Sequence, residues 1–308
     1  LAALAIPSAA AAQGVRGVRL VAPYPPGGGI DVVARLIAGP MGEALAQPVI
    51  VENRPGAGGS IGAAAVAAAA PDGQTILLDA LGHIINPLLI RDLSFDYAAA
   101  FAPVCLVVTQ PLMIVGNPRL PSRDLGALLA RTREAGSDLS FGSSGNGTGP
   151  HIAAETLLLQ AGGRAVHVPY RGAAPALQDV MGGSLAFAVV TAGSAVALAR
   201  EGRVIPLAVT GPERMAALPD VPTVAEAALP DFVFQEWNGI FAPAGTPEPV
   251  IIRLHQAARH ALAQASVQER LAAIGATPIG ADPASFTAFL THQREVIAAT
   301  VLAAGITG

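Results

Sequence analysis

Short β-branched runs alternate along this chain with stretches rich in Ala and Leu, and that rhythm restricts it to an α/β fold built on parallel strands. Val18 to Ala22, Val49 to Glu52 and Thr75 to Leu78 have strand character, and Asp31 to Ala46 and Ile61 to Ala69 between them have helical apolar spacing. From Val104 the pattern changes to two longer extended runs, VCLVV and LMIVG. A second α/β set follows, with helices predicted over 125–134, 151–161 and 174–181 and strands over 139–142, 165–168, 185–190 and 204–209. Phe232 to Phe241 is extended again and carries the single Trp, Trp237. Helical segments at Glu248 to Ala263, Val267 to Ile274 and Ala284 to Ala304 close the chain and are expected to pack on the first unit. At 308 residues the chain exceeds the size, roughly 250–300 residues, at which single cores tend to divide. A chain that leaves one unit, builds another and returns forms a two-segment hinge, suited to closing around a ligand. The expected division is 14–105 with 240–308 as one lobe and 106–239 as the other, crossing near 105–116 and 232–241.

Composition removes several function classes. All 18 basic residues are Arg, so lysine-dependent chemistry such as a Walker A phosphate site or a Schiff base is excluded. Those arginines are scattered and the net charge is −4, which gives no basic face for nucleic acid. Cys105 stands alone in an apolar run and reads as a buried strand residue. The six histidines, His83, His151, His167, His255, His260 and His292, show no metal-ligand spacing, so no metal site is predicted. Residues 1–13, LAALAIPSAAAAQ, resemble the end of a signal peptide with an A-x-A site near Ala10 to Ala12 and predict an exported protein.

Four loops between strands and helices carry the chemistry. The first, APYPPGGGID from Ala22 to Asp31, lets glycine amides approach a ligand while the following helix aims its N-terminus at the same point, an arrangement for an anion. Asp31 serves either to pair with the helix dipole or as a polar contact in a cleft. This loop does not match the dinucleotide pattern, because Val32 stands where Gly is required. The second, GSSGNGTGPH from Gly142 to His151, offers hydroxyls, an amide side chain and glycine amides at another helix start. It is not a nucleophile elbow, since Asn146 replaces the required Gly. In the third, VPYRGAAP, Arg171 either pairs with a carboxylate or ties the loop to its own lobe. The fourth, DALGHIINP, places His83 after a strand, either structural or facing a cleft.

These segments together resemble the substrate-binding receptors of tripartite tricarboxylate transporters, the Bug family. The resemblance rests on VAPYPPGGGIDVVAR, VIVENRPGAGGSIGAAAVAAAAPDGQT, FGSSGNGTGPHIAAE, VPYRGAAPALQDVMGG and LPDVPTVAEAALPDF followed by GIFAPAGTPEPVIIRL, in that order. It implies an α/β two-lobed periplasmic-binding-protein type II fold with a hinged interlobe cleft, a periplasmic location and no cofactor. It implies a small organic acid as ligand, held by Tyr24, Gly28, Asp31, Gly82, His83, Ser143, Ser144, Asn146, Thr148, Gly149, Arg171, Gly172 and Ala173. The implied partners are membrane transporter subunits, with the receptor itself a monomer that catalyses nothing. Val190 departs from the pattern, because many relatives carry Asp there; that absence argues against an amino-acid ligand. Other readings are a periplasmic sensor feeding a two-component kinase, a hydrolase or isomerase using His83 or His151 as base, and a cytosolic effector-binding lobe.

Overall fold

The computed structural model describes residues 17–121 and 123–307; the leader-like segment 1–13 lies outside them. The first α/β set is β1 (Val18–Ala22), α1 (Gly29–Leu45), β2 (Val49–Asn53), α2 (Ser60–Ala67), β3 (Thr75–Asp79) and α3 (Gly82–Leu89). Strand β4 (Phe101–Gly116) leads to the second set, α4 (Leu125–Thr132), β5 (Ser140–Ser143), α5 (Gly149–Ala161), β6 (Val166–Pro169), α6 (Ala173–Gly182), β7 (Phe187–Thr191), α7 (Ala192–Arg200), β8 (Ile205–Val209) and α8 (Val224–Ala227). Strand β9 (Gln235–Pro243) returns the chain to α9 (Glu248–Ala263), α10 (Ala265–Ala273), β10 (Thr277–Ala281) and α11 (Pro283–Ala303).

Hydrogen bonding runs in the order β2-β1-β3-β9-β4-β7-β5-β6, with β8 and β10 also paired to β4. Pairs β1–β2, β1–β3, β5–β6 and β5–β7 are parallel, as the alternating sequence requires. The two halves are joined by the antiparallel pair β4–β9. Strand β4 has 16 residues, about 50 Å at ~3.3 Å per residue, so one strand serves both halves. Its start pairs with β9 and β10, and its end, from Leu112, pairs with β7 and β8. The sequence suggested two runs here. Pro111 interrupts the pattern, yet it sits where β4 leaves β9, opposite Gln235, so the missing N–H falls at a change of partner.

Three apolar clusters hold the sheet. Leu20, Ile37, Ile76, Val107, Ile240 and Leu254 fill the space under α1 and α9. Met113, Leu177, Val180, Val190 and Val209 form a smaller cluster under α6 and α7. The third runs through both halves and includes Leu77, Leu106, Phe141, Leu157, Trp237 and Phe286. Helix α11 explains that continuity. It was expected on the first unit with α9 and α10, but it packs against α3, β4 and α5 and so touches both halves. Gly239 on β9 permits this: a methyl there would lie 2.2 Å from the Phe286 ring. Cys105 is fully buried, as expected, and burial pushes its thiol up to about 12.

Candidate functional site

The glycine- and hydroxyl-rich loops converge at the carboxyl ends of the parallel strands, the position at which open α/β sheets take ligands. Helices α1, α5 and α6 start there at Gly28, Thr148 and Gly172, and none of these starts has a side-chain cap. Elsewhere α4, α8 and α11 are capped by Asp124, Thr223 and Asp282, whereas α7, α9 and α10 also lack a side-chain cap. First-turn amides without an internal partner are the donors an anion needs.

In the first loop Gly27 has φ +80°, and its amide donates to Asp31 Oδ2 at 2.9 Å. Asp31 is buried and also accepts from Arg35 Nε at 3.0 Å and Asn53 Nδ2 at 2.9 Å. Burial alone would raise its pKa, but the bonds from Arg35, the Gly27 amide and Asn53 outweigh it and hold the carboxyl at about 2. Through these bonds Asp31 shapes the loop. The Tyr24 hydroxyl donates to Gly58 O at 3.3 Å, and Asn86 Nδ2 donates to the same carbonyl at 2.9 Å. Burial, then Asp79 and Glu236, push the Tyr24 phenol well above its ordinary value. Gly82 opens α3 against this tyrosine; a methyl there would lie 2.4 Å from its hydroxyl oxygen.

His83 does not face an open cleft. It is 1% exposed, its Nδ1 lies 3.3 Å from Asp79 Oδ2, and its ring stacks on Phe241 at 4.0 Å. Burial lowers its pKa despite Asp79. The imidazole is therefore a packed interior group beneath the loops.

In the second half, Ser143 is fully buried and its Oγ lies 2.7 Å from His167 Nε2. His167 stacks on His151 at 3.7 Å, and burial, then His151, lower its pKa to about 4. The Gly147 amide donates to His151 Nδ1 at 3.1 Å, and Thr148 Oγ1 donates to Gly145 O at 2.8 Å. Asn146 is exposed and donates to Thr307 O at 2.9 Å. Ser144 accepts the Gly172 amide on its carbonyl at 3.2 Å, which joins the second loop to the start of α6 at Ala173. Arg171 is exposed beside it. Val190 is fully buried against the Met113 cluster and lines no open cleft in this conformation, which removes the basis for reading ligand polarity from it.

The two sets of loops face each other. A methyl at Gly147 would lie 2.6 Å from Leu89 on α3, and one at Gly149 would lie 3.1 Å from Leu81 and 2.0 Å from Glu236 Oε1. Glu236, on the crossing strand β9, was not singled out from the sequence; its signal was a charge inside the apolar run FVFQEWNGIF. Partly buried, it is pushed up to about 7 by that burial. A separate open groove of about 490 Å³ lies on the outer side of α1, lined by Ala38, Gly42, Ala46 and Pro48, with none of these loops.

Residues 33–304 match the tripartite tricarboxylate transporter family receptor. The chain belongs to that family. The receptor is 40% identical over 271 residues to a UPF0065 protein from the tcbD-tcbE intergenic region of a Pseudomonas species, covering 87% of this chain and 80% of the relative. It is 33% identical over 306 residues to protein BugT of Bordetella pertussis, covering 99% and 94%. Among solved structures, it resembles an R. palustris protein with adipate at TM-score 0.84 and 31% identity, over 94% of this chain and 98% of the other. MatC from Rhodopseudomonas palustris, with bound malate, superposes at TM-score 0.80 with 33% identity, over 92% and 98%. The receptor thus has the two-lobed architecture of periplasmic binding proteins such as BugD, which it matches at TM-score 0.81 and 32% identity, over 94% and 98%. Among the described residues no helix is long and apolar enough to cross a membrane, and no three His, Cys, Asp or Glu side chains gather as a metal site.

Proposed function

We propose that this protein is a periplasmic solute receptor that captures a small carboxylate-bearing molecule between its halves and delivers it to a tripartite tricarboxylate-type transporter. The observation that carries this reading is the meeting of loops from both halves, with Gly147 against Leu89 and Gly149 against Leu81 and Glu236, beside the uncapped helix start at Thr148. Backbone amides there hold an anionic end group. The malate and adipate in two structures of similar fold supply the chemical class. The halves, 14–105 with 240–308 and 106–239, close on the ligand, which shifts the population toward the closed form, and no covalent step follows.

The ligand contacts in this reading come from Tyr24, Gly28 and Gly82 on one side and from Ser144, Thr148, Gly149, Gly172 and Ala173 on the other. Asp31, His83 and Ser143 set the shape of the loops from beneath. Thr148→Pro tests the cradle. Thr148 has φ −81° and ψ 161°, which proline adopts, and its amide makes only a 3.4 Å bond to Gly145 O. Thermal-shift and calorimetric screening against mono- and dicarboxylates should show binding by the wild type and none by Thr148→Pro, with the circular dichroism spectrum unchanged. Stabilisation only by cations or sugars would refute the carboxylate class.

A further inference from the structure

We propose that Glu236 is a ligand-contacting, specificity-determining residue of the interlobe site: in its acid form it donates a hydrogen bond to an anionic oxygen of the bound organic acid. This deepens the receptor reading above and rests on it. The residue lies on β9 opposite Gln110 of β4, in the stretch that crosses from one half to the other. Its Oε1 is close enough to Gly149 that a methyl on that glycine would lie 2.0 Å away, and Leu81 packs at the same point. It therefore sits where the start of α5, the start of α3 and the Tyr24 loop meet.

Nothing neutralises this carboxyl. Among the described residues no hydrogen-bond donor or cation pairs with it, and burial is the sole influence on its pKa. The titratable groups that face it from the first half are Tyr24 and, behind the tyrosine, Asp79 with His83 and Tyr97. From β4 it meets the neutral Gln110, and from α5 the glycine backbone of Gly149. An ionised Glu236 would place a negative charge inside a site built of anion-binding amides and would repel the ligand those amides attract. Burial has already moved its pKa to about 7, and an incoming carboxylate moves it higher. The proton comes from solvent as the anion binds, so capture of one carboxylate takes up about one proton above that pH. A neutral carboxylic acid then gives the site a donor that an apolar side chain lacks.

The test is isothermal calorimetry on the full chain with a panel of aliphatic mono- and dicarboxylates that includes malate and adipate, from pH 6 to pH 9, in buffers of differing ionisation enthalpy. Wild-type affinity should fall by up to about tenfold per pH unit above pH ~7, with proton uptake approaching one per ligand. Glu236→Gln, which imitates the acid form, should keep the affinity seen at pH 6 and lose both the slope and the uptake. A wild type with no proton uptake, or a Glu236→Gln slope equal to the wild type's, overturns the assignment of Glu236 alone. Affinity that rises with pH and is lost in Glu236→Gln also overturns it, since the carboxylate would then be accepting from a ligand donor. Absence of any carboxylate binding by either protein overturns the receptor reading itself, and this inference with it.

Discussion

Replacing His167 by Gln should uncover how much stability the second half draws from an uncharged imidazole beneath its cradle. The ring is half-buried, bonded to Ser143 Oγ at 2.7 Å and stacked 3.7 Å from His151, an arrangement that disfavours a positive charge on it. Its pKa is lowered from 6.5 to about 4, by burial first and His151 second. With the folded value depressed, the unfolded chain binds the proton more readily between those limits. Stability is therefore complete above pH ~6.5 and drains as pH falls toward 4. The fall from 6.5 to about 4 would equal ~3.4 kcal/mol in full. Because the ring is only half-buried, solvent screening reduces this to roughly 1–2 kcal/mol. His167→Gln keeps a neutral polar group for Ser143 and cannot be protonated. Urea denaturation of both proteins at pH 7.5 and pH 4.5 measures the effect as a double difference, in which the other titrating groups cancel. The wild type should lose roughly 1–2 kcal/mol more than the variant. Equal losses would refute the reasoning, and a larger loss in the variant would reverse its sign.

Asp31→Asn should cost about 1–2 kcal/mol at pH 7, because the charge-assisted bonds from Arg35 and the Gly27 amide weaken while Arg35 itself stays in water. The folded pKa of about 2 lies below the ordinary 3.8, so this contribution is present above pH ~4 and vanishes as pH falls through 2; denaturation across that range follows it. Gly149→Ala should weaken ligand binding by roughly tenfold or more, ~1.4 kcal/mol. The reason is that its methyl would meet Glu236 Oε1 at 2.0 Å and Cδ at 2.6 Å across the meeting of the halves. Calorimetry showing unchanged affinity would mean that this contact is not part of the bound form.

The parallel core was legible because buried β-branched runs and helical spacing are local properties, and α9 was read to the residue over Glu248–Ala263. What escaped was set by distant partners. Strand β10, TPIGA in sequence, carries Pro278 and Gly280 and has the look of a loop; it is extended because it pairs with β4. Helix α3 was not assigned from the sequence; Gly82 and Pro87 both disfavour a helix interior, yet Ile84, Ile85 and Asn86 are anchored by the core and by Tyr97. The site loops were visible because glycine and hydroxyl residues cluster in sequence. Which side chains look inward was not, because the bonds of Ser143 to His167 and of Asp31 to Asn53 join residues more than twenty positions apart. Glu236 was missed for the same reason: only the approach of Gly149, from another element, makes it a site residue.

That distribution of contacts also constrains how the halves move. The cluster containing Phe141, Trp237 and Phe286 is continuous through β4, β9 and α11, so the halves cannot part as separate bodies without exposing aromatic core. Between the facing loops, by contrast, the contacts are sparse: Gly147 on Leu89, Gly149 on Leu81 and Glu236, and one hydrogen bond from exposed Asn146 to Thr307. Such a bond contributes only about 1 kcal/mol. Opening therefore costs little at the mouth and a great deal at the root, which confines the motion to a hinge about the crossing strands. A ligand held by amides of both halves gains its second set of bonds only in the closed form. About 5.5 kcal/mol of such differential binding suffices to turn a population from one state in a hundred to ninety-nine. In the proposed reading, a handful of amide bonds from Gly28, Gly149 and Gly172 to a carboxylate lies in that range.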